Sequence, residues 1–227
     1  MTIAAAADLQ LAFTEVGALF SERTGWNVTF SFGSTGNLTT QIEEGAPFDV
    51  LAAANVAFVD RLIDGGHAVA ETRTMYAVGR IVLASSRQAG ADVQTLDGLL
   101  DPAITRVAIA NPEHAPYGLA AKEALISARI WDEIAPKLVY GENVRQTLQF
   151  VETGNAEAGI VALSSAGSPE ITWVTIDDGL HNPLLQAMAV VANRPHEQAA
   201  REFIAFVVSD EGQAILNRYG FVSPDTR

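Results

Sequence analysis

The residues with a chemistry to offer lie in four short turns: Ala7-Asp8, Gly33-Ser34-Thr35-Gly36, Ala115-Pro116-Tyr117-Gly118 and Gly141 to Val144. Each follows a short apolar run and precedes a segment with helical spacing. The second is the plainest. Val28, Phe30 and Phe32 lead into Gly33, two hydroxyls follow at Ser34 and Thr35, and a helix-compatible segment opens after Gly36. A helix start exposes backbone N–H groups that have no partner in their own helix, and it carries about half a positive charge. Such a start suits an anion. Four of them acting on one ligand would neutralise a dianion without Lys or Arg.

Other chemistries find little support. There is no G-x-S-x-G elbow, no S-x-x-K, no H-E-x-x-H and no P-loop. The histidines at 67, 114, 181 and 196 have no triad spacing, so no enzyme is expected. Without cysteine there is no disulfide and no thiolate metal site. His114 reads as a turn residue. Asp8 with His114 would be only two ligands for a cation, so no metal site and no cofactor are expected. Arg145, one residue past Val144, reads as a surface helix charge, and Tyr76 and Trp173 read as packing residues.

The elements that must carry these turns can be read in chain order. Thr2–Ala7, Trp26–Phe32 and Pro47–Ala54 read as strands, and the stretches Leu9–Phe20, Asn37–Glu44 and Val56–Gly65 as helices. This β-α-β-α-β-α order implies a parallel, doubly wound sheet. Ligands of such sheets sit beyond the carboxyl ends of the strands, where Asp8 and Ser34-Thr35 fall. Asp8 precedes the first helical run and reads as its N-cap.

Tyr76–Ser85 reads as one long strand, with Gly79 near its middle. The β-α logic then repeats: strands at Val107–Ala110, Lys137–Tyr140, Gly159–Leu163 and Trp173–Ile176, and helices at Leu96–Leu100, Leu119–Ala128 and Val144–Glu152. Leu184–Ala192 is a second long strand, and His196–Val208 and Asp210–Tyr219 are the closing helices. The expectation is an α/β fold of two lobes, each a mostly parallel sheet flanked by helices. The first lobe takes residues 1–80 and 191–227, the second 81–190. The two long strands form the hinge, and the ligand cleft lies between the lobes.

Composition narrows the partners. The 227 residues are 48% hydrophobic and 18% charged, as in a folded globular chain. A net charge of −13 argues against nucleic acid and anionic membrane surfaces. No apolar run of about 18 residues is present, so no membrane insertion is expected. The chain opens directly into a strand, with no charged n-region and h-region. Either the protein is cytoplasmic or a signal peptide has been removed and Met1 stands in its place.

The stretches AAAADL, FSFGSTGNLTTQIEEGAPFDV, ANPEHAPYGLAAKEAL, ENVRQTLQFVETGNAEAGIVAL and FIAFVVSDEGQAILNRYGF resemble the periplasmic molybdate-binding proteins of ABC importers, in the right order and over nearly the whole chain. GSTG followed by Q-I-x-x-G-A-P is the most telling. The resemblance implies a hinged, two-lobed periplasmic-binding-protein-like fold of type II. It also implies a tetrahedral molybdate or tungstate ligand held by hydroxyls and backbone N–H groups, and an ABC permease as partner. The protein would be a periplasmic or otherwise extracytoplasmic monomer. By the same resemblance the ligand anchors fall on Thr35 with Ser34 beside it, on the backbone N–H of Tyr117, and on that of Val144.

The first anchor departs from the pattern. The family usually places Ser or Thr where this chain has Ala7-Asp8. A carboxylate beside a dianion costs several kcal/mol in a poorly hydrated site if unpaired. Asp8 can turn away and cap its own helix, it can be protonated and donate, or the ligand can differ from the usual one. The first is expected, because capping is what Asp does well at a helix start. Some members also place a Tyr hydroxyl where this chain has Ala162. Binding of a different small ligand is therefore the alternative, and a sensory or effector domain is an alternative of another class.

Overall fold

A computed structural model describes residues 1–224. The chain divides into two compact units, Met1–Gly79 with the segment from Leu185 onward, and Arg80–Leu184.

In the first unit β1 (Thr2–Ala6) leads through a 3-10 turn at Ala7–Leu9 into α1 (Gln10–Thr24). Then follow β2 (Thr29–Gly33), α2 (Thr35–Glu43), β3 (Val50–Ala53), α3 (Val56–Asp64) and β4 (Thr74–Gly79). The second unit contains β5 (Ile81–Ser86), β6 (Val107–Ala110), α4 (Pro116–Ser127), a short α5 (Trp131–Ile134), β7 (Leu138–Gly141), α6 (Val144–Glu152), β8 (Ala158–Ala162) and β9 (Ile171–Thr175). The chain returns through β10 (Leu184–Val190) and closes with α7 (Glu197–Val207) and α8 (Asp210–Arg218).

The first sheet has the order β2-β1-β3-β10-β4 and the second β7-β6-β8-β5-β9. In the first, β1 is parallel to β2 and β3, while β10 runs antiparallel to β3. In the second, β6 is parallel to β7 and β8, while β5 runs antiparallel to β8 and β9. The two sheets thus share one plan, with β1 and β6 in equivalent places and β2 and β7 beside them. Both sheets are mixed rather than mostly parallel. β10 pairs with β3 and β5 with β8, and neither is joined to that partner by a single helical crossover, the connection that makes directly linked strands parallel.

Two boundaries differ from the sequence reading. The expected strand Tyr76–Ser85 is two strands, interrupted at Arg80. The return to the first unit comes at Leu184/Leu185 rather than after residue 190, because β10 pairs with β3 through Ala187, Met188, Ala189 and Val190. The apolar, buried β1 and β3 behave as central strands, with all four residues of β3 buried. Against that sheet packs an aromatic cluster in which Phe13 lies 5.8 Å from Phe203 and 5.9 Å from Tyr76 between ring centroids. Trp173 of β9 is not a packing residue: it is 43% exposed, on the outermost strand of its sheet.

Candidate functional site

In each unit two neighbouring parallel strands end in register. Ala6 of β1 pairs with Gly33 of β2, and Ala110 of β6 pairs with Gly141 of β7. The chain leaves all four strand ends for a helix. Ala7-Asp8 and Ser34-Thr35 are therefore brought side by side in the first unit. In the second unit the Asn111–Tyr117 turn and Val144 start from adjacent strand ends.

Thr35 is the first residue of α2 and is 1% exposed. Its Oγ1 accepts a hydrogen bond from the Ala54 N–H at 3.1 Å, so its single O–H is left as a donor. Thr39 Oγ1 donates to the Thr35 carbonyl at 2.8 Å and ties down the same turn. Ser34 is the N-cap residue, with extended backbone and no side-chain cap bond; it too is buried. The first-turn amides of α2 thus begin at a buried hydroxyl pair.

Asp8 behaves differently from expectation. Its carboxylate caps no helix. The N-cap of the 3-10 turn is Ala6 and that of α1 is Leu9, and neither has a side-chain cap bond. The extended conformation that an N-cap needs is taken by Ala6, at φ −57 and ψ 142, which puts Asp8 two positions too far into the helical turn. The side chain is instead 1% exposed, and its Oδ2 accepts from Gln186 Nε2 at 2.7 Å. Gln186 is itself fully buried, and its Oε1 lies 2.8 Å from the hydroxyl of Tyr76. That hydroxyl also lies 3.1 Å from the Ala53 carbonyl. Burial first, and the Asp8 charge second, push the Tyr76 phenol well above its ordinary value, so it stays neutral. Tyr76 is more than a packing residue, and Gln186 was not singled out from sequence; a Gln inside an apolar strand run was the available signal.

In the second unit Pro116 is the first residue of α4 and has no N–H, so Tyr117 supplies that helix's first amide. The approach is close. A Cβ on Gly118 would lie 2.1 Å from the Ala110 carbonyl oxygen, so only glycine lets α4 start this near β6. Asn111 shapes the turn, receiving the Ala115 N–H at its carbonyl (2.9 Å) and the Glu113 N–H at its side chain (3.0 Å). At the neighbouring strand end, Asn143 caps α6, and its Oδ1 accepts from the N–H groups of Arg145 and Gln146 at 3.0 and 3.1 Å. The cap satisfies the second and third amides and leaves that of Val144 as the remaining first-turn donor. Asn before an apolar-periodic run was a legible capping signal.

The other candidates take minor places. Arg145 lies 3.5 Å from Glu152 on its own helix and is half-exposed, as a surface helix charge should be. Ala162 ends β8 fully buried and brings no side-chain donor. Among the described residues no group of three or more His, Asp or Glu side chains is arranged to hold a metal ion. No helix among them is long and apolar enough to cross a membrane.

The family model described as bacterial extracellular solute-binding protein matches residues 1–222. The chain is 36% identical over 222 residues to the molybdate-binding protein ModA of Rhodobacter capsulatus, covering 97% of this chain and 87% of that one. It is 31% identical over 228 residues to a putative ABC transporter substrate-binding lipoprotein, YvgL, of Bacillus subtilis, covering 98% and 86%. Among solved structures it is similar to the periplasmic molybdate-binding protein of Azotobacter vinelandii, with a TM-score of 0.92, 26% identity and 99% of each chain covered.

Proposed function

The chain belongs to the bacterial extracellular solute-binding proteins, and we propose that it captures a tetrahedral oxyanion, molybdate or tungstate, for the permease of an ABC importer. The observation that carries this reading is the matched pair of strand ends. In each unit an Ala–Gly register pair opens two helix starts. Their first-turn amides and the Thr35 hydroxyl are the donors that a dianion needs, and no Lys or Arg is called on. Ala7, Asp8, Ser34 and Thr35 form one half of the binding set, and Tyr117 and Val144 the other.

In this proposal each half offers its donors to a dianion. Sulfate carries the same charge, so selectivity against it rests on ligand size and the reach of the donors. The protein works as an extracytoplasmic monomer, which sedimentation checks. It is not an enzyme.

One observation favours a second reading: a buried carboxylate, Asp8, stands in the first unit's half-set. It would suit a ligand that brings a proton of its own. Calorimetric titration at neutral pH with molybdate, tungstate, sulfate and phosphate separates the two. Tight binding of molybdate or tungstate supports the first reading. Binding of phosphate alone transfers support to the second, and no heat with any of the four removes both.

A further inference from the structure

Asp8, Gln186 and Tyr76 form a buried chain of polar contacts that ends on the Ala53 carbonyl, all within the first unit. Its separations are 2.7 Å from Asp8 Oδ2 to Gln186 Nε2, 2.8 Å from Gln186 Oε1 to Tyr76 Oη, and 3.1 Å from Tyr76 Oη to the Ala53 oxygen. An amide can be turned end for end in the same space, so the chain accepts two hydrogen arrangements. In the first, Asp8 is ionised. Gln186 donates to it, and Tyr76 donates to Gln186. Tyr76 has a single hydrogen, so its contact with Ala53 then carries none. In the second, the amide is turned and Asp8 Oδ2 is protonated. Asp8 donates to Gln186 Oε1, Gln186 Nε2 donates to Tyr76, and Tyr76 donates to Ala53. All three contacts then hold a hydrogen bond.

The chain is thus built to take Asp8 in either state, and the protonated state fills all three of these contacts. A fully ionised dianion placed at the same strand end favours that state. Repulsion between two negative groups at low effective dielectric disappears once the carboxyl is neutral. We propose that binding of a tetrahedral dianion is coupled to uptake of one proton by Asp8, and that Gln186 and Tyr76 are positioning residues which make room for it by turning the amide. The coupling rests on the oxyanion function proposed above. The proton comes from solvent, and the only bond formed is the carboxyl O–H.

The surroundings of Asp8 leave it as the group that titrates. β2, β3 and β10 carry no ionisable side chain, and β4 carries only Tyr76, which stays neutral. On α1, Glu15 and Arg23 are paired with Arg218 and Glu211, and Glu22 is exposed. On α2, Glu43 is paired with Arg61.

The test is calorimetric titration of molybdate, which carries no proton near neutrality, from pH 6 to 8.5 in buffers of different ionisation enthalpy. The slope of heat against buffer enthalpy counts protons. The expected result is an uptake approaching one proton per anion, with affinity falling by up to about tenfold per pH unit where uptake is complete. In Asp8→Asn the amide copies the protonated acid, so binding should proceed with no proton uptake. Binding of molybdate by the natural chain with zero uptake and flat affinity overturns the coupling and leaves the oxyanion function standing. Uptake that persists in Asp8→Asn overturns the assignment to Asp8. Absence of binding to any oxyanion overturns both.

Discussion

The Ala54 amide, just past the end of β3, donates to Thr35 Oγ1 at 3.1 Å and so fixes the direction of a hydroxyl that begins a helix on a different strand. Three consecutive pieces of the first unit meet in this bond: the turn after β2, the start of α2 and the end of β3. The hydroxyl accepts from Ala54 and has one hydrogen left to give. Thr35→Ala should therefore weaken oxyanion binding by about 1–3 kcal/mol, the scale of a hydrogen bond to a charged group. Calorimetric titration measures it, and unchanged affinity removes Thr35 from the binding set. Thr35→Ser, which keeps the hydroxyl, should recover most of the loss.

Gly118 is held by contact rather than by backbone angle, since a Cβ there would meet the Ala110 carbonyl oxygen at 2.1 Å and its carbon at 2.6 Å. Both neighbours are backbone and cannot swing aside. Gly118→Ala should push α4 off β6 and cost about 1–3 kcal/mol of stability, the usual range for overpacking. Thermal unfolding reads the loss. The first α4 amide, at Tyr117, moves with the helix, so anion affinity should fall as well.

Asn143 separates helix stability from anion binding. Asn143→Ala removes the cap from the Arg145 and Gln146 amides and should cost about 1 kcal/mol. Asn143→Asp keeps the cap and adds a negative charge that the helix start welcomes, so stability should hold. The same charge lies one residue from Val144 and should lower affinity for a dianion. Equal affinity in Asn143→Asp and the natural chain would place the anion elsewhere.

Glu157 supplies a pH dependence that lies outside the candidate site. Burial works to raise its carboxyl, but hydrogen bonds from the Arg106 backbone and side chain and from Thr105 outweigh it, and the net shift is downward. Its Oε2 accepts from the Arg106 and Thr105 amides at 2.6 and 3.0 Å. A carboxyl lowered in the folded state stabilises above its unfolded value. That stability is lost as pH falls through the folded value. The contribution is therefore complete at neutral pH and fades below about 4.3, the ordinary glutamate value. Glu157→Gln should cost about 1 kcal/mol at pH 7 and progressively less in acid. Urea unfolding across that range checks it, and a cost independent of pH would refute the assignment.

Much of the fold is legible in the chain itself, because apolar runs and helical spacing are local properties. Val107–Ala110 and Val144–Glu152 are read with their observed limits. The GSTG and APYG turns are equally plain, since glycine and proline punctuate the chain between an apolar run and a helical segment. Pairing decided the rest. β10 belongs to the first sheet through its partner β3, more than 130 residues away, and no local pattern carries that. The mixed sheets follow from the same pairing.

The candidate site divides along the same line. The residue types, the four turns and the absent first hydroxyl are properties of the sequence. Where the Asp8 side chain goes is not. Local reasoning made it a helix cap, whereas the folded unit gives the cap position to Ala6 and brings Gln186 against the carboxylate from 178 residues away. A short polar side chain takes whichever partner the surrounding fold leaves within hydrogen-bond reach. For a buried carboxylate that partner decides its charge, and only tertiary structure could supply it.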